Sequence, residues 1–250
     1  MLIDEHREGT AIWVDIGVDD ADQKESLAQF LSAVFGWQWD AGDGEMGGYT
    51  FGLMNGRPAI GLGQTPGGTG ESVTYFSTSD VAASLAKAVE LGATGIVGPV
   101  PVREFGILAY AVDPVGVTHG LWQAESFKGF GVVQEPGAAG WFDHESAGPQ
   151  AAADYYRALT GHEVASVGGG EMVLRDGDTW IASFSPTSGV IPAGWSPVYV
   201  VESLEHTREL ARSLGATILV EEQEVPGSRI CVFTDPPTGH HYTIIPPAPA

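Results

Sequence analysis

The stretch WVDIGVDDADQKESLAQFLSAVFGW (13–37) changes its hydrophobic period once, and that change sets the fold. Its opening residues alternate as a strand over 11–18. Asp19 or Asp20 then supplies an N-cap, Leu27, Phe30, Leu31 and Val34 recur at helical spacing over 21–35, and Gly36 ends the helix. Strand-like runs follow around 37–39, 49–53 and 59–63, separated by Gly-rich turns and by the Asn55-Gly56 hairpin signal. The unit is βαβββ.

The same order restarts downstream, with a strand over 73–78, Asp80 as a cap, a helix over 81–91, and strands near 96–102, 108–112 and 118–122. The whole block then repeats. Leu91-Gly-Ala-Thr94 returns as Leu214-Gly-Ala-Thr217, Trp13-Val-Asp15 as Trp141-Phe-Asp143, and Asp113-Pro114 as Asp235-Pro236, at offsets of 123, 128 and 122 residues. Helices are expected over 149–159, stopped by Gly161, and over 204–214, with strands near 172–174 and 180–184. Gly129, Gly131, Pro136 and Gly137 mark a boundary, so the predicted division is a first domain over 1–124, a linker over 125–140 and a second domain over 141–250.

Composition narrows the possible roles. Hydrophobic residues make up 43% of the chain and charged residues only 17%, so the fold rests on packing. A net charge of −21 repels both phosphate backbones and anionic membrane surfaces, and neither nucleic acid nor membrane is an expected partner. The single cysteine, Cys231, lies between Ile230 and Val232; it reads as a buried small hydrophobe and allows neither an internal disulfide nor a thiolate cluster. The opening MLIDEHREGT has no apolar leader core, and a cytoplasmic monomer or homodimer is expected.

Four such units, a first helix ending in Phe35-Gly-Trp37, and the Asp-Pro-x-Gly turn of AVDPVGVTHGLWQ (111–123) resemble the vicinal oxygen chelate superfamily, which includes glyoxalase I, extradiol dioxygenases, and bleomycin and fosfomycin resistance proteins. The resemblance covers nearly the whole chain and is strongest to the tandem branch, whose halves open with Trp-x-Asp or Trp-x-Glu. It implies an α+β fold in which four βαβββ units form two cup-shaped mixed-sheet domains. It also implies that metal-using relatives place His, Glu or Gln on the strands lining each cup.

Those positions hold other residues in this chain. The first strand of each half carries Trp13 or Trp141, the first strand of each second unit begins near Val73 or Ser196, and the last strand offers Gly120 or Thr243. An indole N–H has no lone pair for a cation, so no metal and no cofactor are expected. A shift of one residue in register would instead turn His119 or His241 inward.

Period-two alternation nominates Trp13, Asp15, Thr118 and Trp122 as ligand-binding residues of the first cup, with Gly17 and Gly120 on the same faces. For the second cup it nominates Trp141, Asp143, Glu145 and Thr243, with His241 and Ile245 beside them. Aromatic walls with a carboxylate suit a flat, partly apolar molecule that also offers a donor or a cation. The alternative for the tryptophans is packing between the halves. Asp143 with His241, and Asp15 in the first cup, are the candidate catalytic acid–base groups, against the simpler reading of a structural polar pair. His240 and His241 are adjacent and point opposite ways in a strand, and His144 reads as buried and hydrogen-bonded. The runs Gly168–Gly170 and Pro66–Gly70 lack the lysine and spacing of a phosphate loop and read as turns at the cup rims.

Two functions fit. One is a metal-independent protein that sequesters or carries an aromatic, partly apolar metabolite or antibiotic. The other is a metal-independent isomerase, cyclase or lyase. Eight Arg against three Lys, with abundant Ala and Gly, match a high-GC genome, where such proteins often accompany natural-product biosynthesis.

Overall fold

Asp20, rather than Asp19, caps the first helix: its side chain accepts from the Gln23 amide, and Gly36 closes the other end at φ 77° by donating to the Ser32 carbonyl. Only glycine takes that left-handed turn without a steric penalty. The computed structural model that shows this describes residues 6–40, 47–64, 72–225 and 227–248, so the Pro66–Gly70 run lies outside the described residues. The helix, α1 (Ala21–Phe35), follows β1 (Ala11–Gly17) and precedes β2 (Gln38–Trp39), β3 (Thr50–Met54) and β4 (Arg57–Gly63). It buries Leu27, Phe30, Leu31, Val34 and Phe35 along one face.

The second unit is β5 (Val73–Ser77), α2 (Val81–Glu90), β6 (Thr94–Val102), β7 (Gly106–Val112) and β8 (Thr118–Ala124). The third is β9 (Ala139–Ser146), α3 (Pro149–Thr160), β10 (Glu163–Gly168), β11 (Glu171–Asp176) and β12 (Thr179–Pro186). The fourth is β13 (Gly194–Val200), α4 (Leu204–Ser213), β14 (Thr217–Val225), β15 (Ser228–Thr234) and β16 (His241–Ile245). Capping differs among the helices. Asp80 and Ser203 cap α2 and α4 through their side chains, whereas α3 begins with Pro149 after an uncapped Gly148.

Each half forms one mixed eight-stranded sheet, in the orders β2-β3-β4-β1-β5-β8-β7-β6 and β10-β11-β12-β9-β13-β16-β15-β14. The first strands of the paired units run antiparallel at the centre, and each lies parallel to the last strand of its own unit. The fold is thus α+β, with two curled sheets of identical topology. The Gly168–Gly170 run forms the turn between β10 and β11 with all three residues at positive φ.

The other face of each sheet packs on the opposite half. α1 contacts α4, α2 contacts α3, and β5 contacts β13, in a pseudo-twofold arrangement. Phe30 meets Phe233, Phe35 meets Tyr199, and Phe76 meets both Tyr156 and Trp195 at ring separations of 6.3, 4.9, 5.3 and 5.1 Å. Buried polar contacts cross this core: His144 Nε2 lies 2.9 Å from Asp113 Oδ2 with both side chains fully buried, Tyr156 Oη donates to the same oxygen at 3.3 Å, and Tyr155 Oη lies 3.3 Å from His119 Nε2. Asp113 also accepts from the amides of Val115 and Val117. Burial raises its proton affinity, but these bonds outweigh it and hold the carboxyl below its ordinary range.

The segment between the sheets is tied down on both sides. The Phe130 amide donates to the Ile12 carbonyl, Gly131 to Pro58, and Gly137 to Val200, while Trp37 Nε1 donates to the Gly137 carbonyl at 2.6 Å. β9 already begins at Ala139, inside the stretch expected as linker. With Tyr75 facing the hollow of its sheet and Phe76 facing the other half, the two hollows open away from each other.

Candidate functional site

In the first cup, Asp15 sits at the floor of a cavity of about 520 Å³, also lined by Trp13, Tyr49, Phe51, Tyr75, Phe105, Tyr110, Trp122 and Phe127. Its carboxylate accepts three side-chain hydrogen bonds. Trp13 Nε1 donates to Oδ1 at 2.9 Å, Tyr49 Oη donates to the same oxygen at 2.5 Å, and Tyr75 Oη donates to Oδ2 at 2.6 Å. The Tyr75 and Tyr110 hydroxyls bond to each other and extend the chain toward the wall.

Two glycines make this convergence possible. Gly61 is the strand partner of Asp15 on β4, and a Cβ there would fall on Tyr49 Oη and Asp15 Oδ1. Gly120 on β8 lies under the Tyr75 ring, and a Cβ there would strike that ring. Burial raises the proton affinity of Asp15, opposed by its three hydrogen bonds. Burial and then the Asp15 charge push Tyr49 and Tyr75 well above the ordinary phenol range, so both remain donors.

The second cup has the same backbone and a different chemistry. Its cavity, about 290 Å³, is lined by Trp141, Asp143, Glu145, Glu171, Trp180, Ser183, Ser185, Ser196, Thr243 and aliphatic residues including Val173, Val198 and Ile230. Ser183 takes the register place of Gly61 and puts a hydroxyl between indole and carboxylate: Trp141 Nε1 donates to Ser183 Oγ at 2.7 Å, and Ser183 Oγ donates to Asp143 Oδ1 at 2.7 Å. Ser185 Oγ adds a second link to Asp143 Oδ1 at 3.0 Å. Glu171 and Val198 stand where the first cup has Tyr49 and Tyr75. Burial raises the proton affinity of Asp143, and burial with the nearby Asp143 charge pushes Glu145 up to about 8.

The nominated residues divide. Trp13, Asp15 and Trp122 line the first cavity, and Trp141, Asp143, Glu145 and Thr243 the second, while Thr118, at the first residue of β8, is not among the lining residues. The expected Asp143–His241 pair is not formed. Asp143 is held by Ser183 and Ser185, and His241 Nε2 bonds Ser196 Oγ at 2.6 Å, because Ser196 is the strand partner of Asp143. Burial, with His240 adding to it, takes His241 down to about 4. His119 faces the inter-half core against Phe76, Tyr155 and Tyr156, so Gly120 is the residue turned to the cup. The tryptophans answer to both readings: Trp13, Trp122, Trp141 and Trp180 line cups, while Trp37 and Trp195 pack between the halves.

Alternation along β5 and β7 would have nominated Tyr75 and Tyr110, which share the faces of Val73 and Leu108. Phe127 comes from irregular chain and had no such signal; its ring meets Trp13 edge-on at 4.8 Å.

A resident metal does not fit this donor set. The strand positions nominated for metal ligands carry Trp13 and Gly120 in the first cup and Trp141 and Thr243 in the second, Asp15 already accepts from three donors, and the second cup's carboxylates, Asp143, Glu145 and Glu171, have no imidazole or thiolate beside them among the described lining residues. Among the described residues no group of three His, Cys, Asp or Glu is arranged to hold a metal ion. No described helix is long and apolar enough to cross a membrane.

No family model matches the chain. Among curated proteins it is similar to "Putative glyoxylase CFP32" of Mycobacterium tuberculosis, 28% identical over 98% of this chain and 97% of that one. It is also similar to the anthracycline biosynthesis protein DnrV of Streptomyces peucetius, 26% identical over 91% and 90% of the two chains. Among solved structures, the Mn(II)-bound glyoxalase from Novosphingobium aromaticivorans superposes with a TM-score of 0.68 at 16% identity, covering 97% of this chain and 83% of that one. The 2,3-dioxygenase LapB from Pseudomonas sp. KL28 does so with a TM-score of 0.63 at 12% identity, covering 96% and 92%. The duplicated βαβββ units, their two like sheets and these full-length relatives support the vicinal oxygen chelate superfamily, which the tandem two-domain fold fits.

Proposed function

We propose that the protein is a metal-independent small-molecule-binding member of its superfamily, sequestering or carrying a flat, partly apolar metabolite or antibiotic in the first cup. The observation that carries this reading is the Asp15 carboxylate held by three donors beneath a chamber of aromatic rings. The rings offer stacking and edge contacts to a planar body, and the Tyr75–Tyr110 hydroxyl pair offers a polar anchor at its edge. A full-length relative named for anthracycline biosynthesis is in keeping with an aromatic natural product.

Titration of chelator-treated protein with fused-ring phenols and quinones, followed by tryptophan fluorescence, tests this. Stoichiometric quenching that is lost in Trp13→Phe is expected. Binding that requires an added divalent metal, or no binding to any planar aromatic, would overturn it.

A second reading, an isomerase, cyclase or lyase, draws on the same chain of groups. Tyr110, Tyr75 and Asp15 are hydrogen-bonded in series and buried, an arrangement able to pass a proton to or from a bound carbonyl or hydroxyl. Its mark is pH-dependent turnover unaffected by chelator and abolished in Tyr75→Phe.

A further inference from the structure

Glu145 has no counterpart in the first cup, where Gly17 takes its place. It is 7% exposed, it lines the second cavity, and its Oε2 is buried without a hydrogen-bond partner. A buried oxygen left unsatisfied costs about 1–3 kcal/mol, so a fold keeps one where a partner arrives from outside. Asp143 and Glu171 line the same cavity, and no Lys or Arg is among its described lining residues. Trp141 and Trp180 form one wall, with ring centroids 6.2 Å apart at 55°, and Trp180 is 48% exposed.

We propose that the second cup binds a small organic ammonium ion, a protonated amine on an aromatic or alicyclic body, with Glu145 and Asp143 taking the charge and the two indoles taking the body. An ammonium group supplies the donors that Glu145 Oε2 lacks, and indole faces attract cations. A hard metal ion fits poorly, because the carboxylates do not converge on one point among the described residues. The proposal is independent of the first cup, which opens on the opposite side and carries a satisfied carboxylate.

The protons of the site follow. The titratable groups facing Glu145 are Asp143 on the same strand, Glu171 from β11, and His241 of β16 behind Ser196, the last neutral at pH 7 because burial takes it to about 4. With Glu145 pushed to about 8 by burial and by Asp143, the empty cup holds its proton at pH 7. An ammonium ion favours the carboxylate, so binding transfers that proton from Glu145 to buffer and strengthens from pH 6 to pH 8.

The test is calorimetry on the full-length protein with benzylamine and its neutral isostere benzyl alcohol, at pH 7 in phosphate and in Tris, with the site located by indole NMR signals. Benzylamine is expected to bind about tenfold more tightly than benzyl alcohol, with a heat that differs between the buffers, and to move the Trp141 and Trp180 signals. Glu145→Gln, nearly isosteric, should weaken benzylamine by about tenfold and remove the buffer dependence. Equal affinity for the two probes, movement of the Trp13 and Trp122 signals instead, or displacement of benzylamine by equimolar Mg²⁺ or Ca²⁺ overturns the proposal. Apart from movement of the Trp13 and Trp122 signals, these outcomes leave open whether the first cup takes a planar aromatic molecule, which the quenching titration decides.

Discussion

The two cups share one backbone and one Trp-x-Asp opening, yet the indole reaches its carboxylate directly in the first and through a serine hydroxyl in the second. The difference is made on the neighbouring strand, where Gly61 leaves space and Ser183 fills it. Once space is left, Tyr49 and Tyr75 close over Asp15; where it is filled, their places go to Glu171 and Val198. A duplicated sheet therefore fixes where a group stands, and its strand partner decides what that group can do.

Removing the central carboxylates should separate the cups most widely. Asp15→Ala removes the acceptor shared by three buried donors, leaving Trp13 only its bond to Tyr49 Oη and Tyr75 only its bond to Tyr110, and should lower stability by about 3 kcal/mol, whereas Asp143→Ala leaves serine hydroxyls free to rotate and should cost about 1 kcal/mol. Urea unfolding curves of equal displacement for the two would erase the distinction. Next in size is the exchange of strand partners. Gly61→Ser should destabilise by about 1–3 kcal/mol through overpacking and abolish fluorescence quenching by a planar ligand, while Ser183→Gly should cost no more than about 1 kcal/mol.

A smaller effect lies in pH. Glu145 is raised in the folded state from 4.5 to about 8, so its contribution to stability is present below pH 4.5 and is lost as pH rises through 8. Thermal midpoints of Glu145→Gln should accordingly decline less between pH 5 and pH 8 than those of the parent, and parallel curves would count against a buried, protonated Glu145. Thr118→Ala, outside the first cavity's lining, should be the least consequential, within about 0.5 kcal/mol in stability and without effect on quenching.

Much of this organisation was legible along the chain. Helical spacing, the Asp caps of the first half and glycine stops place the four described helices within about a residue of their ends, because those signals are local. Alternation likewise gives the faces of β1 and β9, and so the positions of Trp13, Asp15, Trp141 and Asp143. What alternation cannot give is the partner across the sheet. Asp143 and His241 share an inward orientation in sequence terms, but register sets Ser196 opposite Asp143 and within reach of His241. The Asp15–Tyr49–Tyr75 convergence depends on the curl of a sheet joined by residues 60 positions apart, and Phe127 arrives from chain with no period at all.

The Asp113–His144 contact bears on how such a duplicated chain ages. By the offset that relates Trp13 to Trp141, the place of His144 in the first copy is held by Ile16. A molecule assembled from two first copies would set Asp113 against that isoleucine and leave its Oδ2 without the His144 partner, while Oδ1 kept the Val115 and Val117 amides, a loss of about 1–3 kcal/mol. The two copies have thus become lock and key rather than spares. Converting one copy into the other would lose this contact, while the outward hollows, which share no such pair, stay free to diverge.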